Sequence, residues 1–506
     1  MRSKKAIYNI ITNLVLQLII VIYGFVVPKI IIQTFGSGVN GLVSSITQFL
    51  AYITLLESGV GPVVKAALYK PIAKKDNKTI ANILKTSERF FKRISYIFIV
   101  YLIILAIIYP IIVSKEFDYI FTFLLVIIIS ISTFAEYYFG MTYRLFLQAE
   151  QKTYVISIIQ IITYVLSVLT IVVMAKFNYS IHAIKLISGL IFVGRPLLQN
   201  IYVKRKYKIN FNETNNNYKL KQKWNGLAQH IASVIHNNTD ITILTVFSNL
   251  IEVSVYTIYM LVLKGINSLI QAFTLGIDAS FGDMIARKEY NNLTKKFNMY
   301  ETIYLTITSI LYICTLVLIV PFIKVYTNGI TDANYIRPLF AFLIVISEFI
   351  WAIRLPYSSI TLAAGHFKET RVGAWVEAIT NIIISIILVS KYGIVGVAIG
   401  TLVAMVIRTV EFIYHTNKYI LNRDIFMSVK KILMCVIETI LVLLIVKLIP
   451  NISGNTYFSW ITYALIIFCV VTLIVMTINC ILCRNEFKQL INTLSIFRKK
   501  ESNGKN

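Results

Sequence analysis

The strongest constraint in this sequence is a series of apolar runs, each about as long as a membrane-crossing helix. Such a helix needs ~20 mostly apolar residues, and windows of that length recur fourteen times along the 506 residues. They predict spans at 7–33, 40–64, 94–113, 118–140, 153–175, 180–203, 224–247, 253–278, 299–323, 336–357, 371–390, 393–416, 429–449 and 457–482. The strands of a membrane barrel would instead alternate over ~10 residues. The sequence therefore predicts an all-α polytopic membrane protein.

Composition agrees with this class and excludes a soluble enzyme. The chain is 57% hydrophobic and only 14% charged, whereas soluble domains average about 25% charged residues. The first apolar run is too long for a signal peptide and has no small-residue cleavage pattern, so it is predicted to remain as the first span.

The net charge of +26 would suggest a nucleic-acid partner in a soluble protein. Its distribution gives another explanation, because 37 of the 49 Lys and Arg residues fall in alternate loops, beginning with the N-terminus. The intervening loops hold only five. Positive loops face the cytoplasm, so both termini are predicted to be cytoplasmic and no nucleic acid is expected.

Similar stretches recur at a shift of about 212–215 residues, and they divide the chain into two halves of six spans. Ser132 to Tyr137 aligns near Val345 to Phe349. Six spans per copy give both halves the same orientation, hence a pseudo-two-fold axis along the membrane normal. The predicted domains are an N-terminal bundle (1–205), a cytoplasmic linker (206–222), a second bundle (223–420), and two extra helices with a basic tail (421–506).

Polar residues at helical spacing mark faces that look away from lipid. Lys264, Gln271 and Asp278 lie seven residues apart in span 8, and His236 and Asp240 lie in span 7. Such stripes line a water-filled cavity, or they form hydrogen bonds between helices. For the neutral residues both interpretations stay open.

Charged residues inside spans are the best candidates for a binding site. The candidate substrate-binding cations are Lys264, Arg354, Arg408 and Lys29, because Arg forks and Lys point charges suit a diphosphate. The candidate ion-coupling or polar cavity residues are Glu57, Asp240, Asp278, His236 and Gln271. Some acids neutralise cations instead, and the three-residue spacing of Arg408 and Glu411 permits pairing.

Span 2 contains the clearest predicted helix interruption, Glu57-Ser58-Gly59-Val60-Gly61-Pro62. Two glycines and a proline weaken the helical hydrogen bonds there. The sequence has no nucleotide-binding P-loop, metal-ligand spacing or Ser-His-Asp set. No cofactor and no catalytic residues are therefore expected.

Four short stretches within about residues 1–420 carry a resemblance to a known family. They are Phe35-Gly36-Ser37-Gly38-Val39-Asn40-Gly41-Leu42, Glu57-Ser58-Gly59, Leu147-Gln148-Ala149 with Lys152, and Ala364-Gly365. With these stretches in this order, the sequence resembles the lipid-linked oligosaccharide flippases of O-antigen and capsule synthesis. These belong to the multidrug, oligosaccharidyl-lipid and polysaccharide exporter superfamily.

This resemblance implies alternating access around a cationic cavity in the bacterial cytoplasmic membrane. The implied substrate is an undecaprenyl-diphosphate-linked oligosaccharide, with H⁺ or Na⁺ as coupling ion. Lys264 and Arg354 carry over as part of the cationic lining. The implied partners are membrane lipids and the pathway's polymerase and glycosyltransferases. A cation-coupled multidrug exporter is the alternative; a membrane polymerase or glycosyltransferase fits less well, because the outer loops are short.

Overall fold

The computed structural model describes residues 2–57, 59–207, 227–274, 277–450 and 454–489, and these residues form eighteen α-helices without a strand. The first nine are α1 (Arg2–Phe35), α2 (Ser37–Ala51), α3 (Thr54–Glu57), α4 (Val60–Lys74), α5 (Asn77–Ile112), α6 (Tyr119–Ala135), α7 (Met141–Ala149), α8 (Thr153–Lys176) and α9 (Ile181–Tyr207). The others are α10 (Leu227–Phe247), α11 (Leu250–Ala272), α12 (Ile277–Ala286), α13 (Tyr290–Tyr326), α14 (Pro338–Ala363), α15 (Arg371–Tyr392), α16 (Ile394–His415), α17 (Phe426–Val446) and α18 (Tyr457–Leu482). The predicted all-α fold class is confirmed.

Two π-helical turns join helices into longer segments. Glu136–Gly140 links α6 to α7, and Thr416–Leu421 continues α16. Twelve of the resulting segments within the described residues are long and apolar enough to cross a membrane. Two more helices, α10 and α17, coincide with the predicted spans 224–247 and 429–449 but are not among these twelve.

The predicted end of span 40–64 and the predicted start of span 94–113 are wrong, because both helices continue through charged residues. Residues 65–93 were expected to form a loop, yet α4 and α5 occupy almost all of this stretch. Asp76 separates the two helices and caps α5, accepting a hydrogen bond from the Thr79 amide at 3.0 Å. The Thr79 hydroxyl and amide lower the pKa of Asp76. A hydropathy window identifies the membrane-embedded part of such a helix and misses its polar extension.

The predicted interruption after Glu57 is confirmed, and a second one was missed. Helix α3 ends at Glu57 and α4 begins at Val60, with Gly59 in a left-handed conformation (φ 82°) between them. The predicted span 253–278 is not one helix, because α11 ends at Ala272 and Asp278 belongs to α12. A turn at Phe273 and Thr274 follows α11.

The chain divides into two compact units, Met1–Thr257 and Ile258–Asn506. In unit 1, α1 packs on α8, α6 on α5 and α9, and α2 on α10. In unit 2, α15 and α14 pack on α16, while α13 contacts α14, α17 and α18. The predicted linker lies almost wholly outside the described residues, and the predicted domain limits stay a prediction.

Apolar side chains cover much of the outer surface of the helices, as a lipid-embedded protein requires. Leu14 is 63% exposed, Ile120 66% and Leu473 70%. The two C-terminal helices are nevertheless anchored, because Val442 of α17 and Ile467 of α18 are fully buried in a core that includes Ile313 of α13. This packing makes α17 and α18 part of unit 2.

Candidate functional site

Lys264 is the predicted cation that the structure leaves most available. Its side chain is exposed on α11, although the surrounding protein limits the water around the ammonium. The Glu348 carboxylate of α14 lies within electrostatic reach of it. With the residues that the structure describes, the ammonium forms no hydrogen bond or ion pair. An exposed, partly desolvated cation suits an anionic ligand, because Coulomb attraction strengthens as water is removed.

A fixed polar network holds Glu348 near Lys264. Glu348 is 7% exposed and accepts a hydrogen bond from Asn267 Nδ2 at 2.8 Å. The Tyr312 hydroxyl donates to Asn267 Oδ1, which orients the amide so that its NH₂ group faces the carboxylate. Asn267 lies three residues after Lys264 on the same face of α11. The polar stripe predicted for span 8 therefore faces protein groups at this level.

The other two candidate cations of unit 2, Arg354 and Arg408, already form ion pairs with carboxylates. Arg354 Nη1 lies 2.6 Å from Glu377 Oε1, and Arg408 Nε lies 3.5 Å from Glu377 Oε2. Arg408 also pairs with Glu411, as their spacing predicted, and donates to the Thr370 carbonyl at 2.8 Å. These contacts join α14, α15 and α16 in a network whose formal charges cancel.

A glycine makes room for this network. A Cβ atom at position 373 would lie 1.6 Å from Glu411 Oε2, so Gly373 is the residue that allows the carboxylate to approach α15. Together with the 2% exposure of Arg408, this close fit indicates that the network stabilises the packing of three helices.

The unit 1 candidates Lys29, Glu57 and Asp240 belong to α1, α3 and α10. Lys29 is partly buried in α1. Glu57, at the end of α3, accepts a hydrogen bond from the Tyr137 hydroxyl at 3.1 Å. Asp240 of α10 is 6% exposed and accepts from the Tyr256 hydroxyl at 2.8 Å. Both acids are thus held by tyrosine hydroxyls.

The last three candidates belong to α10, α11 and α12. Gln271 is exposed in the final turn of α11. The side chains of His236 on α10 and Asp278 on α12 lie outside the described residues.

Sequence reasoning missed a row of hydrogen bonds inside unit 1, between α2 and the segment α10–α11. The pairs are Asn40 with Ser254 at 2.8 Å, Ser45 with Thr245 at 2.7 Å, Gln48 with Asn238, and Tyr52 with Thr242 at 2.9 Å. The spacing of the polar residues on α2 was the available signal. These side chains form hydrogen bonds between helices.

The buried carboxylate of Glu301 on α13 was also missed. Arg423 Nη2 lies 2.7 Å from Glu301 Oε1, and Lys431 Nζ lies 2.7 Å from Oε2. The hydroxyls of Tyr357 and Ser428 donate to Oε1 at 2.5 and 3.0 Å. Glu301 is completely buried, and these contacts tie α13 to α14 and to the start of α17.

Comparisons with solved structures identify the fold. A structure of the lipid II flippase MurJ in an inward closed conformation matches with a TM-score of 0.67 and 17% identity, covering 94% of this chain and 99% of that one. An inward-facing multidrug resistance MATE family transporter of the MOP superfamily matches with a TM-score of 0.59 and 14% identity, covering 81% and 98%. This chain has the MOP-superfamily fold. No family model and no curated protein sequence matches it.

The outward-facing form of a MATE family transporter of the MOP superfamily also matches, with a TM-score of 0.51 and 12% identity, covering 82% of this chain and 95% of that one. The proteins named in these comparisons are transporters and a flippase. At such low identities, none of their residue roles can be transferred.

Proposed function

We propose that the chain flips undecaprenyl-diphosphate-linked oligosaccharides from the inner to the outer leaflet of a bacterial cytoplasmic membrane, by alternating access. Surface polysaccharide synthesis, of capsule or lipopolysaccharide, consumes the product. Its pathway partners are then a polysaccharide polymerase and glycosyltransferases. In this proposal both chain termini face the cytoplasm.

The extent of the structural match is the observation that carries this proposal. Residues after 425 number 81 of 506, so a match covering 94% of the chain must extend well into α17 and α18. The MATE transporter match covers 81%, a share that twelve helices alone can supply. The lipid flippase thus accounts for more of this chain than the drug exporter does, which favours a lipid-linked substrate.

Lys264 is the proposed contact to the diphosphate. Its side chain is exposed on α11 and forms no hydrogen bond or ion pair with the residues that the structure describes. A phosphate oxygen could therefore approach the lysine without first displacing a carboxylate. Contact between the substrate and Arg354 or Arg408 would require Glu377 to lose a partner. The predicted role of these two arginines and of Lys29 in binding is secondary in this proposal.

The coupling ion is proposed to act on the acidic residues. Glu57, Asp240 and Asp278 are the proposed acceptors of H⁺ or Na⁺. For Glu57 and Asp240, the tyrosine hydroxyls at 3.1 and 2.8 Å would then exchange partners with the ion. His236 and Gln271 are the other proposed polar cavity residues.

Flipping by the purified chain in proteoliposomes tests the role of Lys264. The substrate is a fluorescent polyprenyl-diphosphate disaccharide, and a membrane-impermeant quencher reads its sidedness. A charge-assisted hydrogen bond contributes ~1.5–3 kcal/mol, so Lys264→Gln should slow flipping by about 10- to 100-fold, while Lys264→Arg should retain much of it. Lys176→Gln, at an exposed lysine ending α8, is the matched control.

The same assay separates the two transport functions. If Lys264→Gln flips the lipid at the wild-type rate, Lys264 is not the diphosphate contact. If the wild-type chain flips no lipid but exports a cationic dye, and Glu57→Gln abolishes that export, the protein is a cation-coupled drug exporter.

A further inference from the structure

A separate cavity in unit 2 has a positively charged end and an apolar end, which suits an amphiphilic ligand. It measures about 620 Å³ and lies between α12 and α13, within the range of small-molecule sites. One face of α13 forms a wall, with residues recurring every three or four positions from Asn292 to Ile307. The fifteen helical steps from Asn292 to Ile307 extend ~22 Å. One leaflet of the hydrocarbon core is ~15 Å thick, so the wall is long enough to span it.

The two ends of this wall differ sharply. Lys295 and Lys296 mark the end near the start of α13, where both side chains are exposed. Met299, Ile303 and Ile307 continue along the same face. Among the described residues that line the cavity, none is acidic. The cavity therefore presents two positive charges at one end and an apolar surface beyond them.

The opposite wall is apolar and firmly packed. Phe281 and Met284 of α12 line the cavity and are 2% and 5% exposed. The Phe281 ring packs edge-on against Tyr300 at a centroid distance of 5.6 Å, and Tyr300 contacts Tyr304 at 5.5 Å. Aromatic pairs of this kind fix the shape of the wall. The methionines can adapt to an irregular chain.

We propose that this cavity binds one anionic glycerophospholipid of the cytoplasmic leaflet, with its phosphate at Lys295 and Lys296 and an acyl chain along Ile303 and Ile307. Paired lysines at a membrane surface attract anionic headgroups, and the apolar length of the face accommodates the chain. The two lysines lie between the predicted spans 253–278 and 299–323, in one of the positive loops that are predicted to be cytoplasmic. The site is distinct from Lys264 and does not depend on the transported substrate.

Native mass spectrometry of the full chain in detergent, titrated with phosphatidylglycerol or phosphatidylcholine, tests this proposal. We expect one phosphatidylglycerol adduct that is tighter than the phosphatidylcholine adduct. The double variant Lys295→Gln, Lys296→Gln should weaken it by about tenfold or more, because each lysine near an anionic surface contributes ~1 kcal/mol. Lys74→Gln with Lys75→Gln removes two exposed neighbouring lysines elsewhere and should leave the adduct unchanged.

A variant of the apolar wall keeps the test valid if the lysine variant fails to fold. Ile303→Trp fills the chain-binding part without changing charge, and it should also weaken the phosphatidylglycerol adduct. Equal binding by wild type and all variants would overturn the proposal, as would an equal loss in the Lys74, Lys75 control. Displacement of phosphatidylglycerol by a lower concentration of undecaprenyl phosphate would assign the cavity to the carrier lipid instead. None of these outcomes depends on flipping activity.

Discussion

Replacing Glu301 by Gln should destabilise unit 2 more than any surface substitution. The carboxylate is completely buried, and Arg423 and Lys431 both lie 2.7 Å from it. Glutamine keeps the shape but removes the charge, which leaves two cations facing a neutral amide. Breaking a buried ion pair on one side costs ~3–5 kcal/mol. We expect a loss of that size, concentrated where α17 packs on α13.

Thermal unfolding of the purified protein, followed by the fluorescence of a thiol-reactive dye, measures this loss. Cys314, Cys435 and Cys483 are buried, whereas Cys469 and Cys480 are exposed, so the labelling that increases on heating reports the opening of the buried thiols of unit 2. Glu88→Gln is the matched control, because the Glu88–Lys92 pair at 2.9 Å is partly exposed and such helical pairs contribute only ~0.3–0.5 kcal/mol. Equal melting temperatures for Glu301→Gln and wild type would refute the reasoning.

A triple variant separates the lost contact from the orphaned charges. Replacing Glu301, Arg423 and Lys431 together by Met removes every charge of the cluster. Hydrophobic replacement of a whole buried ion cluster is often neutral or stabilising, so the triple variant should be more stable than Glu301→Gln. If it is less stable, the polar contacts to Tyr357 and Ser428 carry the stabilisation instead.

Two further predictions concern unit 1. Gly41→Ala should lower the melting temperature strongly, since a Cβ there would lie 1.7 Å from the Leu250 carbonyl oxygen. Gly38→Ala should have a small effect, because its Cβ would meet only the Phe117 ring, at 3.3 Å. Similar losses in both variants would contradict this prediction. Burial raises the pKa of Glu116 above its ordinary value, although the Leu250 amide opposes the shift. The folded state therefore holds this proton more firmly than the unfolded chain. The Glu116 contribution to stability should fall as pH rises from ~4.3 through the raised value, and Glu116→Gln should flatten that part of a melting-temperature profile; an unchanged slope would argue against it.

The sequence predicted those features that depend on local pattern. Apolar length identified the helices, the Gly59 interruption followed from its glycines and proline, and the Arg408–Glu411 pair followed from helical spacing. The break between α11 and α12 left a weaker signal, because the surrounding residues stay apolar through the turn. A hydropathy window averages over such a turn.

Contacts between residues distant in the chain could not be predicted in the same way. Glu301 meets partners 122 and 130 residues away, and Gln48 bonds to a residue 190 positions later. The polar stripes on single helices showed which faces avoid lipid, but not which helix each face meets. The same limit applied to Arg354, whose partner Glu377 lies on another helix.

The sidedness of the lipid-linked oligosaccharide in living cells tests the central claim most directly. Cells without the chain, and cells expressing it or its Lys264→Gln variant, would be labelled from outside with a membrane-impermeant reagent for the glycan. We predict that the glycan lipid accumulates facing the cytoplasm without the chain, and that wild type but not Lys264→Gln restores outward labelling. Unchanged outward labelling after deletion would contradict the proposed flipping function.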